Sequence, residues 1–238
     1  MKRMTKLGAL VALVLALTAG LAVAGVPAVN PVDCQTDPEP ECPGTSGNDD
    51  FTGEANDDGV QGANDIITGG DGRDGGDGNS GDDVMRGGAG ADGSIIDFEG
   101  NDGEDLVAGG EGGDHELEGG SDDDTVTGGP GDDCEVAGDD GDDELDGGPG
   151  DDGDADTQVA GGTGDNTAHG GDGSDRIDAD DSLAGDRERI FGDDGGDRIR
   201  AVDDRVDIIN CGRGNDRVIF DAGIDTVRNC ENRTAVTP

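Results

Sequence analysis

The sequence has no tryptophan, no tyrosine and only 4 phenylalanines among its 238 residues. A carbohydrate-stacking platform is therefore not expected, because aromatic side chains supply the flat contact surface such platforms use. Positive charge is also scarce: 15 Lys and Arg stand against 59 Asp and Glu, for a formal net charge of −44. Nucleic acid and anionic membrane surfaces carry the same sign and are poor partners for this chain. Only two histidines occur, His115 and His169, and neither has a nucleophile and an orienting acid in a recognisable motif. They are expected to be turn or strand-end residues. There is no G-x-S-x-G elbow and no stretch long enough to hold a separate catalytic domain, so the chain is not expected to be an enzyme. Paired carboxylates occur throughout the chain, so their presence alone argues for no glycosidase-like acid pair.

What the sequence does have begins at its N-terminus. Residues 1–24 read MKRMTKLGALVALVLALTAGLAVA, a basic start, an apolar run and a small-residue end. This reads as a secretory signal peptide, with the remaining chain expected to be secreted, extracellular and not inserted in a membrane. Removing it leaves 12 bases against 59 acids, or −47, because every acid follows residue 24. Self-repulsion of that size opposes a compact state unless something cationic neutralises it. Residues 25–43 form a Pro-rich stretch read as a linker, in which Cys34 and Cys42 are expected to form a local disulfide.

From residue 44 a unit of nine residues recurs. Gly128 to Asp178 shows it most plainly, as GGPGDDCEV, GDDGDDELD, GGPGDDGDA, GGTGDNTAH and GGDGSDRID. With each unit numbered 1 to 9, place 6 holds an acid, or once an asparagine, in nineteen units. The residues are Asp49, Asp58, Asp65, Asp74, Asp83, Asp92, Asp105, Asp114, Asp124, Asp133, Asp143, Asp152, Asn166, Asp175, Glu188, Asp197, Asp207, Asp216 and Asp225. Place 8 is commonly aliphatic, as in Ile67, Met85, Val107, Val126, Leu145, Ile177, Ile190, Ile199, Ile209, Val218 and Val227. An apolar residue two places after the acid suits a three-residue strand with its middle side chain turned inward. Glycines at places 1, 2 and 4 suit a tight turn. Two units then make one flattened coil, and the coils stack as a parallel β-solenoid of roughly nine coils and about 40 Å. Place 8 departs from the pattern at Gly76, Ser94, Glu116, Glu135, Asp154 and Ala168. In three of these units an aliphatic stands one place late, at Ile95, Leu117 and Val136, which predicts a local shift of register.

At this point the sequence resembles a known family. The pattern GGxGxDxUx, with U a large aliphatic, is similar to the RTX or haemolysin-type calcium-binding nonapeptide repeat. GGDGSDRID at 170–178, CGRGNDRVI at 211–219, GGSDDDTVT at 119–127 and GTSGNDDFT at 44–52 carry the resemblance. The resemblance implies an all-β parallel β-roll with calcium ions in rows along its two edges. Turn carbonyls and place-6 carboxylates would be the ligands. The candidate ligands are Asp49, Asp58, Asp65, Asp74, Asp83, Asp92, Asp105, Asp114, Asp124, Asp133, Asp143, Asp152, Asp175, Asp197 and Asp216. The chemistry agrees, because calcium takes six to eight oxygens in flexible geometry and a Gly–Asp turn offers only oxygen. Fifteen such ions would carry +30 towards the −47.

Residues 44–210 are thus expected to be the repeat β-roll and 211–238 its last coils and cap. Cys211 and Cys230 lie about one coil apart, which would put their Cα atoms near 5 Å, within disulfide range. The tail resembles the ends of secreted actinobacterial calcium-binding repeat proteins. Cys134 is left over, an inert thiol or an intermolecular link. Three readings compete. The leading one is a secreted, non-enzymatic calcium-binding β-roll that folds on, or is stabilised by, several calcium ions. The alternative is a largely disordered acidic extracellular protein that buffers cations or coats a surface or matrix. The third, an ice- or surface-binding solenoid, needs a regular threonine face, and Thr52, Thr68 and Thr127 are too sparse to supply one.

Overall fold

A residue triplet of polar, aliphatic and polar character between two glycine-rich turns can form only a short strand, and such strands gain stability only by stacking. The structure, a computed structural model, describes residues 30–33, 41–43, 49–52, 64–92, 98–153, 158–179 and 187–237. These residues form an all-β parallel solenoid. Strands alternate between two sheets, and each pairs with the next strand of its own sheet one coil on, two strands ahead in the chain or three where a short extra strand intervenes. One sheet has eleven strands, from Asn30–Asp33 to Asn232–Val236. The other has twelve, running from Glu41–Pro43 to Thr226–Arg228, with the short pieces Asp194–Gly195 and Arg213–Gly214 beside the main path. Eleven strands at ~4.8 Å spacing make a rod of about 48 Å. Among the described residues no helix is long and apolar enough to cross a membrane.

The register places the place-8 residues in two facing inward rows. In the twelve-stranded sheet Ile67 pairs with Met85, Met85 with Val107, Val107 with Val126, and Val126 with Leu145. Beyond Ala168 the row continues through Ile190 and Ile209. The other sheet contributes Phe98, Leu117, Val136, Val159, Ile177, Ile199 and Val218 to the same core. Leu117 and Val136 take the inward position in place of Glu116 and Glu135, as the late aliphatics predict.

The sequence reading and the structure differ at two places, and one unit lies outside the described residues. After the unit holding Ser94 the core residue is Phe98, which the nine-residue frame does not mark; Ile95 lies outside the described residues. Phe98 pairs with Gly76, whose missing side chain leaves room for a ring that is fully buried. Residues 25–43, read as a linker, contribute strands Asn30–Asp33 and Glu41–Pro43, which start the two sheets. Pro31 and Pro43 are tolerated there because an outermost strand leaves one side of its backbone without a ladder partner. The rod is therefore longer than the repeat count alone gives. Finally, the unit carrying Asp58 and Val60 lies outside the described residues, between the strands Asp49–Thr52 and Ile66–Gly72.

The disulfide Cys211–Cys230 is present, with Cα atoms 5.1 Å apart and partners 19 positions apart in the sequence. It ties two successive coils at the C-terminal end. The expected Cys34–Cys42 bridge lies outside the described residues. In a stacked array each coil is held only by its neighbours, so the end coils are the first to fray. We expect reduction, or replacement of both Cys211 and Cys230 by Ser, to cost about 3 kcal/mol. Hydrogen exchange in calcium should show the lost protection concentrated in Arg217–Asp221, Thr226–Arg228 and Asn232–Val236. Uniform loss along the rod would contradict this.

Candidate metal centre

Each turn presents its place-6 side chain just ahead of a strand, and stacking aligns these side chains in two rows, one at each edge of the flattened coil. One row runs through Asp65, Asp83, Asp105, Asp124, Asp143, Asn166, Glu188, Asp207 and Asp225. The other runs through Asp74, Asp92, Asp114, Asp133, Asp152, Asp175, Asp197 and Asp216 and ends on Glu231. Within both rows one contact recurs. The backbone N–H of each place-6 aspartate donates to the carboxylate Oδ1 of the place-6 residue in the next coil. The distance is 2.7 Å from Asp65 to Asp83, 2.8 Å from Asp124 to Asp143 and 2.9 Å from Asp133 to Asp152. The place-6 acid thus satisfies a buried turn N–H that lies outside the β-ladder, which is a structural role in its own right.

The second carboxylate oxygen has no such role. Oδ2 is buried without a hydrogen-bond partner in thirteen place-6 aspartates among the described residues. These are Asp74, Asp83, Asp92, Asp105, Asp114, Asp124, Asp133, Asp143, Asp152, Asp175, Asp197, Asp207 and Asp216. In eleven of them Oδ2 is aimed at the place-1 glycine of its own unit; the units of Asp207 and Asp216 open on Val202 and Cys211 instead. At Gly147 a Cβ would lie 2.7 Å from Asp152 Oδ2 and 2.6 Å from the carbonyl oxygen of Gly170, one coil on. The same two oxygens would collide with a Cβ at Gly69, Gly87, Gly128 and Gly138. Place 1 is therefore glycine because two oxygens converge on the space beside it. Place 2 needs the left-handed backbone: Gly148 has φ of 103°, and where glycine is replaced the residue is Asn79, Asn101, Asp139 or Asp193.

A buried carboxylate oxygen beside a carbonyl oxygen is an electrostatic conflict. Burial raises Asp83, Asp92, Asp133, Asp197 and Asp207 to about 7, with backbone N–H donation opposing it and neighbouring acids adding to it. Asp124 and Asp152 reach about 8 for the same reasons, burial foremost. Asp105, Asp114, Asp143 and Asp175 reach about 6. A proton or a cation removes the conflict. The donor set fits a hard cation: all donors are oxygen, and among the described residues no three His, Cys, Asp or Glu side chains converge on one point. A bound ion would therefore be held by one or two carboxylates and by turn carbonyls, which calcium accepts.

Most candidate ligands from the sequence fall in these rows. Asp74, Asp83, Asp92, Asp105, Asp114, Asp124, Asp133, Asp143, Asp152, Asp175, Asp197 and Asp216 all bring an orphaned oxygen to the turn. Asp65 starts its row as a buried donor. Asp49 opens the strand Asp49–Thr52, its side chain outside the description, and Asp58 lies outside the described residues. Asp207, in register but not among the candidates, carries the same orphaned oxygen. A second ladder escaped the sequence reading altogether. Exposed place-5 acids also accept from the neighbouring coil, as in Asp142 N–H to Asp123 at 2.9 Å and Asp151 N–H to Asp132 at 3.0 Å. The doubled acid in GDD was its only trace in the sequence.

At Asn166 the row changes chemistry. Asn166 Oδ1 still accepts from Asp143 N–H at 2.7 Å, but its amide lies 3.3 Å from Glu188 Oε1 and donates to it. A neutral side chain there satisfies the ladder and removes one charge. Elsewhere His169 stacks on Phe191 with ring centroids 4.4 Å apart and bonds Asp193 at 2.8 Å. His115 Nε2 lies 3.6 Å from Cys134 Sγ.

The family model for the RTX calcium-binding nonapeptide repeat matches in four copies, at residues 62–93, 116–134, 135–153 and 153–182. Neither a curated protein nor a solved structure matches the chain. The matched segments hold the place-6 residues Asp65 to Asp92 and Asp124 to Asp175.

A carboxyl whose pKa is raised on folding takes up its proton as the chain folds. In chelator, stability should therefore be greatest near pH 4 and fall as pH climbs through about 6 to 8. Thermal melts in chelator at about pH 5 and about pH 8 test this; a higher midpoint at the alkaline end would refute the assignment of these oxygens. Calcium uptake at neutral pH should release protons, measurable by pH-stat titration.

Proposed function

We propose that this chain, which carries the RTX calcium-binding nonapeptide repeat, is a secreted, non-enzymatic protein whose β-roll folds on, or is held together by, calcium outside the cell. One observation carries the reading: thirteen buried carboxylate oxygens lack a partner, and ten of them converge with a carbonyl of the next coil on a place-1 glycine. The twelve candidate aspartates that share this feature, with Asp207, are the residues that would hold the ions. A cation there neutralises the row and ties one coil to the next. That coupling makes metal affinity and folding the same free energy. The apolar–basic N-terminal segment and the low calcium inside cells compared with outside both favour folding after export. The absence of any acid set beside a nucleophile among the candidate residues favours a binding or structural role over catalysis.

The alternative, an acidic polymer without a unique fold, is opposed by the alignment of the place-8 side chains, which needs a fixed register. Far-UV circular dichroism during a calcium titration separates the two, with magnesium as the control. A cooperative coil-to-β change at sub-millimolar to millimolar calcium is expected, a range open to rigid and weak sites alike. A coil unchanged by either ion would sink the proposal. A second test uses Asp152→Asn. The amide keeps an oxygen for the Asp133 N–H and turns a donor towards the Gly170 carbonyl, as Asn166 shows is tolerated. It should stabilise the metal-free fold by roughly 1–3 kcal/mol while weakening calcium binding. Loss of stability in chelator would show that Oδ2 was not in conflict.

A further inference from the structure

The outward face of the eleven-stranded sheet is divided by charge. The row just ahead of the inward residues reads, coil by coil, Glu116, Glu135, Gln158, Arg176, Arg198 and Arg217. Acids occupy one side of Gln158 and arginines the other, one per coil at the same spacing. The row just after the inward residues runs Glu118, Ala137, Ala160, Asp178 and Arg200. Glu118 lies on the acidic side and the small Ala137 and Ala160 at the centre, while on the basic side Arg200 is bonded to its neighbour Asp178 at 3.4 Å and would share its charge with a facing acid. Glu116, Arg198 and Arg217 are exposed. Arg176, Arg198 and Arg217 form no salt bridge within the described residues, and Arg176 Nε is buried without a partner. These arginines border a groove of about 180 Å³ floored by Ile177 and Ile199. In a chain of net charge −44 this is a concentrated cationic strip, and it sits on the same face as its electrostatic complement.

We propose that this face binds a second copy of the chain through a two-fold axis that runs along the strand Val159–Ala160. A two-fold axis along that strand keeps each row opposite itself and reverses the order of coils. It sets Glu135 against the partner's Arg176, Glu116 against the partner's Arg198, and Glu118 against the partner's Arg200. Gln158 and Ala160 meet their own counterparts, and the small alanines let the backbones approach at the centre. Each ion pair occurs twice, because a two-fold interface is self-complementary. Moving the axis by one coil towards the N-terminus would set Glu118 against Ala160 and lose its pairing with Arg200, so the charges select the register. The match needs only the common strand spacing, which both copies share by construction. The face covers roughly 30 Å by 10 Å, well short of the ~800 Å² per partner of a standard interface. The dimer is therefore weak, fast to form and sensitive to salt.

Sedimentation velocity of the chain in calcium tests this, with circular dichroism confirming that each sample is folded. That check separates failure of the dimer from failure of calcium-dependent folding. The expected result is a monomer–dimer equilibrium at about 0.05 M salt that shifts to monomer at about 0.5 M, where charges are screened within a few ångströms. Arg198→Glu should weaken dimerisation at least about tenfold, because it faces Glu116 of the partner with a like charge. Calcium bridging between two acidic surfaces would instead be strengthened by Arg198→Glu, and that result would overturn the proposal. The decisive arm mixes two variants that each fail to self-associate, Arg176→Glu with Arg198→Glu, and Glu116→Arg with Glu135→Arg. Their mixture should recover a dimer containing one of each. A folded chain that is monomeric under all conditions would refute the pairing. A monomer that binds inorganic sulfate, and loses it in the Arg176→Glu, Arg198→Glu variant, would assign the row to an anionic ligand and equally overturn it.

Discussion

The constraint on which this fold depends is the burial of one carboxylate per turn in line with its like. Two such charges ~5 Å apart repel by about 3 kcal/mol at an effective dielectric of about 20. The rows repeat that contact along the whole rod. The burial cannot be relieved by turning the side chain outward, because Oδ1 is the acceptor for a turn N–H that has no other partner. One oxygen is fixed by the backbone and the other is left facing a carbonyl. The fold therefore carries a built-in requirement for positive charge at defined points. Protons would meet it at low pH, and divalent cations would meet it at neutral pH. This also explains why so acidic a chain can have a hydrophobic core only one residue deep per strand. The core aligns the coils, and neutralisation decides whether they stay together.

The rod does not meet that requirement in one way along its length. The inward rows thin at Gly76 and again at Ala168, and ahead of Gln158 the outward side of the eleven-stranded sheet carries Glu99, Glu116, Glu118 and Glu135. Towards the C-terminus the inward residues are Ile177, Ile190, Ile199, Ile209 and Val218, all buried. There Arg200 pairs with Asp178 at 3.4 Å, Arg213 with Asp194 at 2.9 Å, and the disulfide closes two coils. The surface ion pairs contribute little singly. Larger side chains and a covalent link replace part of what cations supply elsewhere. Asn166 and Glu188 stand at the changeover, where an amide donor takes the place of a charge.

Much of this was legible in the sequence because the repeat encodes it redundantly. Place 6 marked the ladder residues, place 8 marked the core, and the spacing of Cys211 and Cys230 marked a bridge across one coil. What escaped was whatever depends on the third dimension. Phe98 fits the core because Gly76 stands beside it in the stack, and two residues 22 positions apart show no such relation in a nine-residue frame. The strands Asn30–Asp33 and Glu41–Pro43 lack the glycine turn that identifies a unit, yet an outer strand needs only a partner on one side. The place-5 ladder was hidden because an exposed aspartate in a Gly–Asp turn reads as a solvated charge. The division of roles between Oδ1 and Oδ2 is a matter of direction, which no spacing conveys.

The family match ends at residue 182, but both ladders continue to Asp225 and Glu231. The difference shows which part of the motif is physical necessity. The C-terminal units lose glycines at places 1 and 2, as Cys211 does at place 1, and gain arginine, so a pattern that weights glycine stops recognising them. They keep the acceptor at place 6 and the apolar residue at place 8, and they keep the fold. Glycine at place 1 is required where two oxygens must converge beside it, as at Gly147. Where that space is filled by the Cys211 side chain, bonded to Cys230, the coil is closed by a covalent bond in its stead. The place-6 acceptor marks every turn that must stack, and Asp216, whose unit opens on Cys211, keeps the orphaned second oxygen as well.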